Sequence, residues 1–120
     1  MNTPPLPKTI AIDLDGVLSA YRGNYQHKVI ESPAAGAREF LINLRQAGYR
    51  IVVHSTRQCT HVEEWLFAHD LFDLVDHVQG SHQGKPLAHV YLDDRAVRFN
   101  GDFDAALAEI ESFKAWWEKT

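Results

Sequence analysis

Four short apolar runs punctuate the chain, separated by stretches with helical periodicity. Ile10 to Leu14 is almost wholly apolar, and Tyr49 to Val53 ("YRIVV") repeats the pattern. Runs this short and this apolar suit strands buried on both faces, as in a parallel sheet. Leu74 to Val78 reads as a weaker third strand and His89 to Leu92 as a fourth. Between the first two, Ala37, Phe40, Leu41 and Leu44 recur at helical spacing. Ser32 would cap that helix, Pro33 would take its first position and Gly48 would end it. A second helix is predicted from about Thr60 to His69, with Val62, Trp65 and Leu66 on one face. Asp102 is placed to cap a third, whose apolar face would hold Phe103, Leu107, Ile110 and Trp117. Residues 17–31 read as two short strands about the Gly23-Asn24 turn. "GSHQGKP" is loop.

Strands alternating with helices predict an α/β domain: a Rossmann-like three-layer sandwich around a mainly parallel sheet. No repeat or linker interrupts the 120 residues, so residues 1–120 are expected to form one domain. The lead-in "MNTPPLPKTI" has no apolar signal segment and should be irregular. No apolar run approaches a membrane span. A lone cysteine, Cys59, excludes an internal disulfide framework and points to a reducing, cytoplasmic setting. The net charge of −4 disfavours a nucleic-acid partner, because phosphate backbones need a basic face.

The chemistry lies where the strands stop. Ligands of parallel sheets bind beyond the carboxyl ends of the strands. Here those ends carry Asp13 and Asp15, then Ser55, Thr56 and Arg57, then Asp93 and Asp94. Four clustered carboxylates call for a cation, and oxygen ligands favour Mg²⁺. One Asp can act as a nucleophile, and a second can protonate a leaving oxygen and then activate water. Ser55 and Lys85 are placed to hold phosphoryl oxygens, and Gly16 lets the chain turn sharply after the second acid. The seven histidines show no HxxxH or HxH pair, so no dedicated zinc site is expected. His54 is expected on the other strand face. Tyr21 and His27, on the hairpin, could reach a substrate; Arg95 is expected in a structural ion pair. Trp116 and Trp117 are expected in core packing and a helix end, and Cys59 as a plain helix-start residue.

These segments resemble the four motifs of the haloacid dehalogenase superfamily of phosphohydrolases, in order. They are "AIDLDGV", "IVVHST", "GKP" and "VYLDD". The likeness runs from about Thr9 to about Asp102. It implies Asp13 as nucleophile, Asp15 as general acid and base, Ser55 on phosphate, and Lys85 steadying both nucleophile and phosphoryl group. It further implies Mg²⁺ held by Asp13, the Asp15 carbonyl and the Asp93-Asp94 pair, with Asp94 favoured as the direct ligand. Only the 17–31 hairpin and the 29 residues between Ser55 and Lys85 are available for a cap. The resemblance therefore implies a capless member with a short flap, whose open site suits a bulky substrate or one covered by a neighbouring subunit. "STR" with "YLDDRAV" also resembles the phosphatase half of polynucleotide kinase–phosphatases, which makes Arg57 a second phosphate contact. The expected activity is a Mg²⁺-dependent phosphatase acting on a phosphorylated small molecule through an aspartyl-phosphate. A 3′-phosphatase on nucleic-acid ends, a phosphotransferase and an idle binding module are the alternatives.

Overall fold

The computed structural model describes residues 8–118, so most of the proline-bearing lead-in lies outside the described residues. Strand β1 (Thr9–Asp13) is followed by helix α1 (Ala37–Gln46), β2 (Arg50–His54), α2 (Cys59–Ala68), β3 (His77–Gln79), β4 (Val90–Leu92) and α3 (Phe103–Glu111). The four strands form one sheet in the order β3-β2-β1-β4, and every neighbouring pair is parallel. The α/β, Rossmann-like architecture expected from the sequence is the one observed.

Register explains the core. Ile10 pairs with Ile51, and Ile12 with Val53, so these side chains share one face of the pleat. Ala37 and Leu41 of α1 and Val62, Trp65 and Leu66 of α2 close over that face. The alternate positions, Ala11 and Val52, are buried on the opposite face. That second row ends in Asp13 beside His54, which are register partners. A fully apolar run thus delivers a carboxylate and an imidazole side by side at the sheet's carboxyl edge.

Four local expectations are corrected. Helix α1 starts at Ala37 behind Gly36 (φ 85°), not at Ser32-Pro33. Residues 32–34 are instead drawn into extended pairing with 18–20, where Ala20 N–H donates to Ser32 O (2.8 Å) and Ala34 N–H to Leu18 O (2.7 Å). That pairing closes the base of the flap. Within the flap only a Gln26–Val29 bridge forms, so the element is an irregular loop rather than a regular hairpin. The third strand begins at His77, because Phe72–Leu74 is a 3-10 turn. Asp76 stands in for ladder pairing there, accepting Ile51 N–H at 2.8 Å and donating its own N–H to Ile51 O at 2.9 Å.

The fourth correction concerns α3. Asp102 caps it as expected, accepting from the N–H groups of Asp104 and Ala105. Its apolar face does not join the core: Phe103 is 81% exposed and Ile110 59%. Trp117 lies beyond the helix, in a 3-10 turn at Trp116–Glu118. The Asp102 cap and the three alanines favour α3, and only Ala105 and Ala106 on it are partly buried. The edge strand β4 is similarly open, with Val90 and Leu92 well exposed. No helix among the described residues is long and apolar enough to cross a membrane.

An unpacked helix melts alone. Asp102→Ala should speed amide exchange across residues 103–108 while moving the global denaturation midpoint by no more than about 0.5 kcal/mol. Leu66→Ala, in the core, should cost about 2–5 kcal/mol in the same denaturant titration.

Candidate active site

A cleft of about 390 Å³ opens at the carboxyl edge, lined by Asp13, Asp15, Tyr21, Tyr25, His54, Ser55, Thr56, Asp93 and Arg95. Asp13 ends β1, and burial together with three acidic neighbours pushes its pKa up to about 8. Desolvation is the largest cause; a hydrogen bond with Asp94 and repulsion from Asp93, Asp94 and Asp15 add to it. Asp94 shifts the other way. Its burial works against ionisation, but hydrogen bonds from Asp13 and Trp117 outweigh that and hold it below the ordinary carboxylate range. Asp13 is thus the acid that holds its proton and Asp94 the one that gives it up.

Asp94 sits behind the site rather than in it. Only 7% exposed, it accepts Trp117 Nε1–H at 2.6 Å through Oδ2. Its Oδ1 is buried and has no partner. Gly16 makes this approach possible: with φ 88°, it turns the chain where any Cβ would fall inside the Asp94 carboxylate. Its carbonyl accepts Trp116 Nε1–H at 2.8 Å. Gly16 and the two tryptophans therefore form a back wall, and Gly16 is not among the residues lining the cleft.

Asp93 groups with Asp13 and His54, while Asp94 does not. Ligand atoms of Asp13, His54 and Asp93 all lie within 4.8 Å of one another. This Asp/His group could hold a metal ion. The orphaned Oδ1 of Asp94 and the raised pKa of Asp13 both mark negative charge that a cation would satisfy. His54 shares the Asp13 face because register pairs the two, which makes the face opposite to Ser55 the one that carries Asp13.

Arg57 is neither a surface charge nor an open phosphate contact. It is 3% exposed and grips Asp15 with two donors, Nε to Oδ2 at 2.9 Å and Nη2 to Oδ1 at 3.0 Å. Its Nη1 donates to the carbonyls of Gln26 and His27, both at 2.9 Å. Tyr25 lies over its guanidinium, 4.5 Å from ring centroid to Cζ. One buried arginine thus fastens the flap to the second acid. Ser55, also buried, accepts Arg57 N–H at 3.0 Å, which leaves its own hydroxyl hydrogen free to donate toward the cleft.

Lys85 lies in an adjoining cleft with His54, Ser55, Thr56, Gly80, Ser81, His82 and Gly84. Its Nζ rests over Tyr91, 4.6 Å from the ring centroid, rather than beside Asp13. Tyr21 lines the main cleft and packs edge-on against Trp117. The His27 ring stands 6.3 Å from that of His61, and only its backbone carbonyl takes part, through Arg57. Arg95 lines the cleft, exposed, and forms no ion pair among the described residues. Cys59 opens α2 and donates to Glu63 at 2.9 Å; that bond pushes the thiol up to about 11, so it stays protonated and is no nucleophile.

An acid whose pKa rises on folding holds its proton longer in the native state. Stability from this source is full below 3.8 and drains as pH rises toward about 8. Melting temperature in EDTA should therefore fall between pH 5 and pH 8, and Asp13→Asn should flatten that slope. An unchanged slope in the variant would show that Asp13 titrates normally.

Comparison with known proteins yields no matching family model and no matching curated protein. Solved structures are similar, two among them as follows. One is the conserved protein coded by locus from Bacteroides thetaiotaomicron, 25% identical with a TM-score of 0.58, covering 93% of this chain and 96% of that one. The other is a chain of the Pnkp1/Rnl/Hen1 RNA repair complex, 22% identical with a TM-score of 0.55. It aligns with 75% of this chain, which spans 37% of its length. Both likenesses bear out the fold.

Proposed function

We propose that the chain is a phosphate monoester hydrolase of the haloacid dehalogenase type. The observation that carries this reading is the meeting of Asp13, Asp15, Asp93 and Ser55 in one cleft at the sheet's carboxyl edge. Asp13 would attack phosphorus and form an aspartyl-phosphate while the ester oxygen leaves. Asp15 would give that oxygen its proton. It would then take a proton from the water that releases inorganic phosphate and regenerates Asp13. Arg57 donates to both Asp15 oxygens, so it sets their direction, and a protonated Asp15 must release one of those bonds. The Ser55 hydroxyl and Thr56 would donate to phosphoryl oxygens. Lys85 would join them by swinging off Tyr91. Asp13, Asp93 and the Asp15 carbonyl would hold a divalent cation, Mg²⁺ on their oxygen atoms alone, which supplies charge neutralisation at the phosphoryl group.

A small phosphorylated molecule in a reducing, cytoplasmic setting remains the favoured substrate, given the acidic net charge. A phosphorylated nucleic-acid end is the second reading. The half-exposed Tyr25 stands at the mouth as a stacking surface, and one fold neighbour belongs to an RNA repair complex.

Asp13→Asn should lower hydrolysis of an aryl phosphate by at least about a thousandfold with unchanged circular dichroism, as expected when a nucleophile is removed. EDTA should silence the wild type and a divalent cation should restore it. Full activity in the variant, or indifference to EDTA, would overturn the reading. Sugar phosphates, nucleotides and 3′-phosphorylated oligonucleotides offered in parallel would separate the two substrate readings.

A further inference from the structure

The cation site contains a donor that its acids do not explain. His54 ends β2, and its register partner is Asp13. A nitrogen of its ring falls within 4.8 Å of carboxylate oxygens from both Asp13 and Asp93. The three side chains come from adjacent strands or their immediate ends, β2, β1 and β4, so the sheet ladder sets their spacing. A second observation points the same way. Asp94, buried against Asp13, carries an Oδ1 with no partner, an uncompensated acceptor beside this group.

We propose that His54 is a third metal ligand beside Asp13 and Asp93, and that it turns the site toward a first-row transition ion such as Mn²⁺ and away from Mg²⁺. The inference rests on the cation role given above to the two acids, and adds to it the identity of the ion. Mg²⁺ is a hard ion that prefers oxygen and keeps its waters. Imidazole nitrogen is a poor exchange for one of those waters, whereas first-row transition ions accept it readily. One nitrogen with two carboxylate oxygens still leaves open positions for water and a phosphoryl oxygen, as a mononuclear catalytic ion requires.

The test is metal binding by the whole chain without substrate, read by calorimetry for Mn²⁺ and Mg²⁺ and by visible absorption for Co²⁺. Wild type should bind Mn²⁺ at least about tenfold more tightly than Mg²⁺, the order expected of a mixed nitrogen–oxygen set. His54→Asn should weaken Mn²⁺ by about tenfold or more and shift the Co²⁺ spectrum, with Mg²⁺ affinity moving less than about threefold, because only the transition ion uses the nitrogen. His54→Gln provides a second variant should the first fold poorly. Asp93→Asn should weaken both ions. Equal losses for Mn²⁺ and Mg²⁺ in the His54 variants, or none, would overturn the proposal. So would an unshifted Co²⁺ spectrum, or a wild type that prefers Mg²⁺. Selective Mn²⁺ binding without hydrolysis of any phosphate ester would uphold this inference and sink the phosphatase reading. Hydrolysis with His54 variants indifferent in metal binding would do the reverse.

Discussion

Repulsion among Asp13, Asp93 and Asp94 is the constraint around which this end of the molecule is arranged. Three carboxylates meet at the end of one strand, and the protein answers in two ways. Asp13 keeps its proton where Asp94 does not. Trp117 supplies Asp94 with a neutral donor instead of a charge. The basic side chain that takes part is Arg95, whose charge helps to keep Asp94 ionised without a direct ion pair among the described residues. The one buried arginine nearby is spent on Asp15. The first acid is left with a deficit of positive charge that an exchangeable cation can fill, while the second acid has a fixed partner. Two carboxylates one residue apart thus live in opposite electrostatic settings, Asp13 among other acids and Asp15 against an arginine.

The sheet makes this affordable in structural terms. Parallel pairing of β1 with β2 and β4 puts Asp13, His54 and Asp93 at one level, and the buried rows on both faces keep that level rigid. The flap is the opposite. It contains a single internal bridge, and its hold on the site runs through Arg57 to two carbonyls. The flap is also held at its base by the 18–20/32–34 pairing and by Trp65 Nε1 donating to Glu31 O, so Arg57 is one of several anchors.

Much of this was legible in the chain. The strands around Ile12 and Val53 are apolar enough to mark a buried parallel sheet, and the polar residues at their ends mark the edge that matters. Asp102 announces its cap, and Val62, Trp65 and Leu66 their face. What was not legible depends on pairing across distance. Ser32-Pro33 carries a good helix-start signal, but backbone pairing with residues 18–20 overrides it. His54 was expected only on the other strand face, and register is what ties it to Asp13, a tie that counting alternate positions back from each strand's end could have suggested. Arg57 looked like a phosphate contact because its partner, Asp15, stands 42 residues earlier. The α3 pattern is amphipathic, yet periodicity alone cannot say whether anything lies against the apolar face.

The bonds from Trp116 and Trp117 have a consequence for how the molecule comes to be folded. Trp116 reaches a carbonyl 100 positions earlier in the chain, and Trp117 meets an acid from beyond the last strand. Closing so long a loop carries an entropic cost that local contacts do not, and contacts of this separation form slowly. Pairing of β1 with β4 spans a similar separation, Ile10 to Val90, so sheet and back wall carry closure costs of the same order. Until that wall arrives, Asp94 lacks its indole donor and the acids face water, free to ionise and repel one another. The site is thus completed from behind, by the final turn of the described chain.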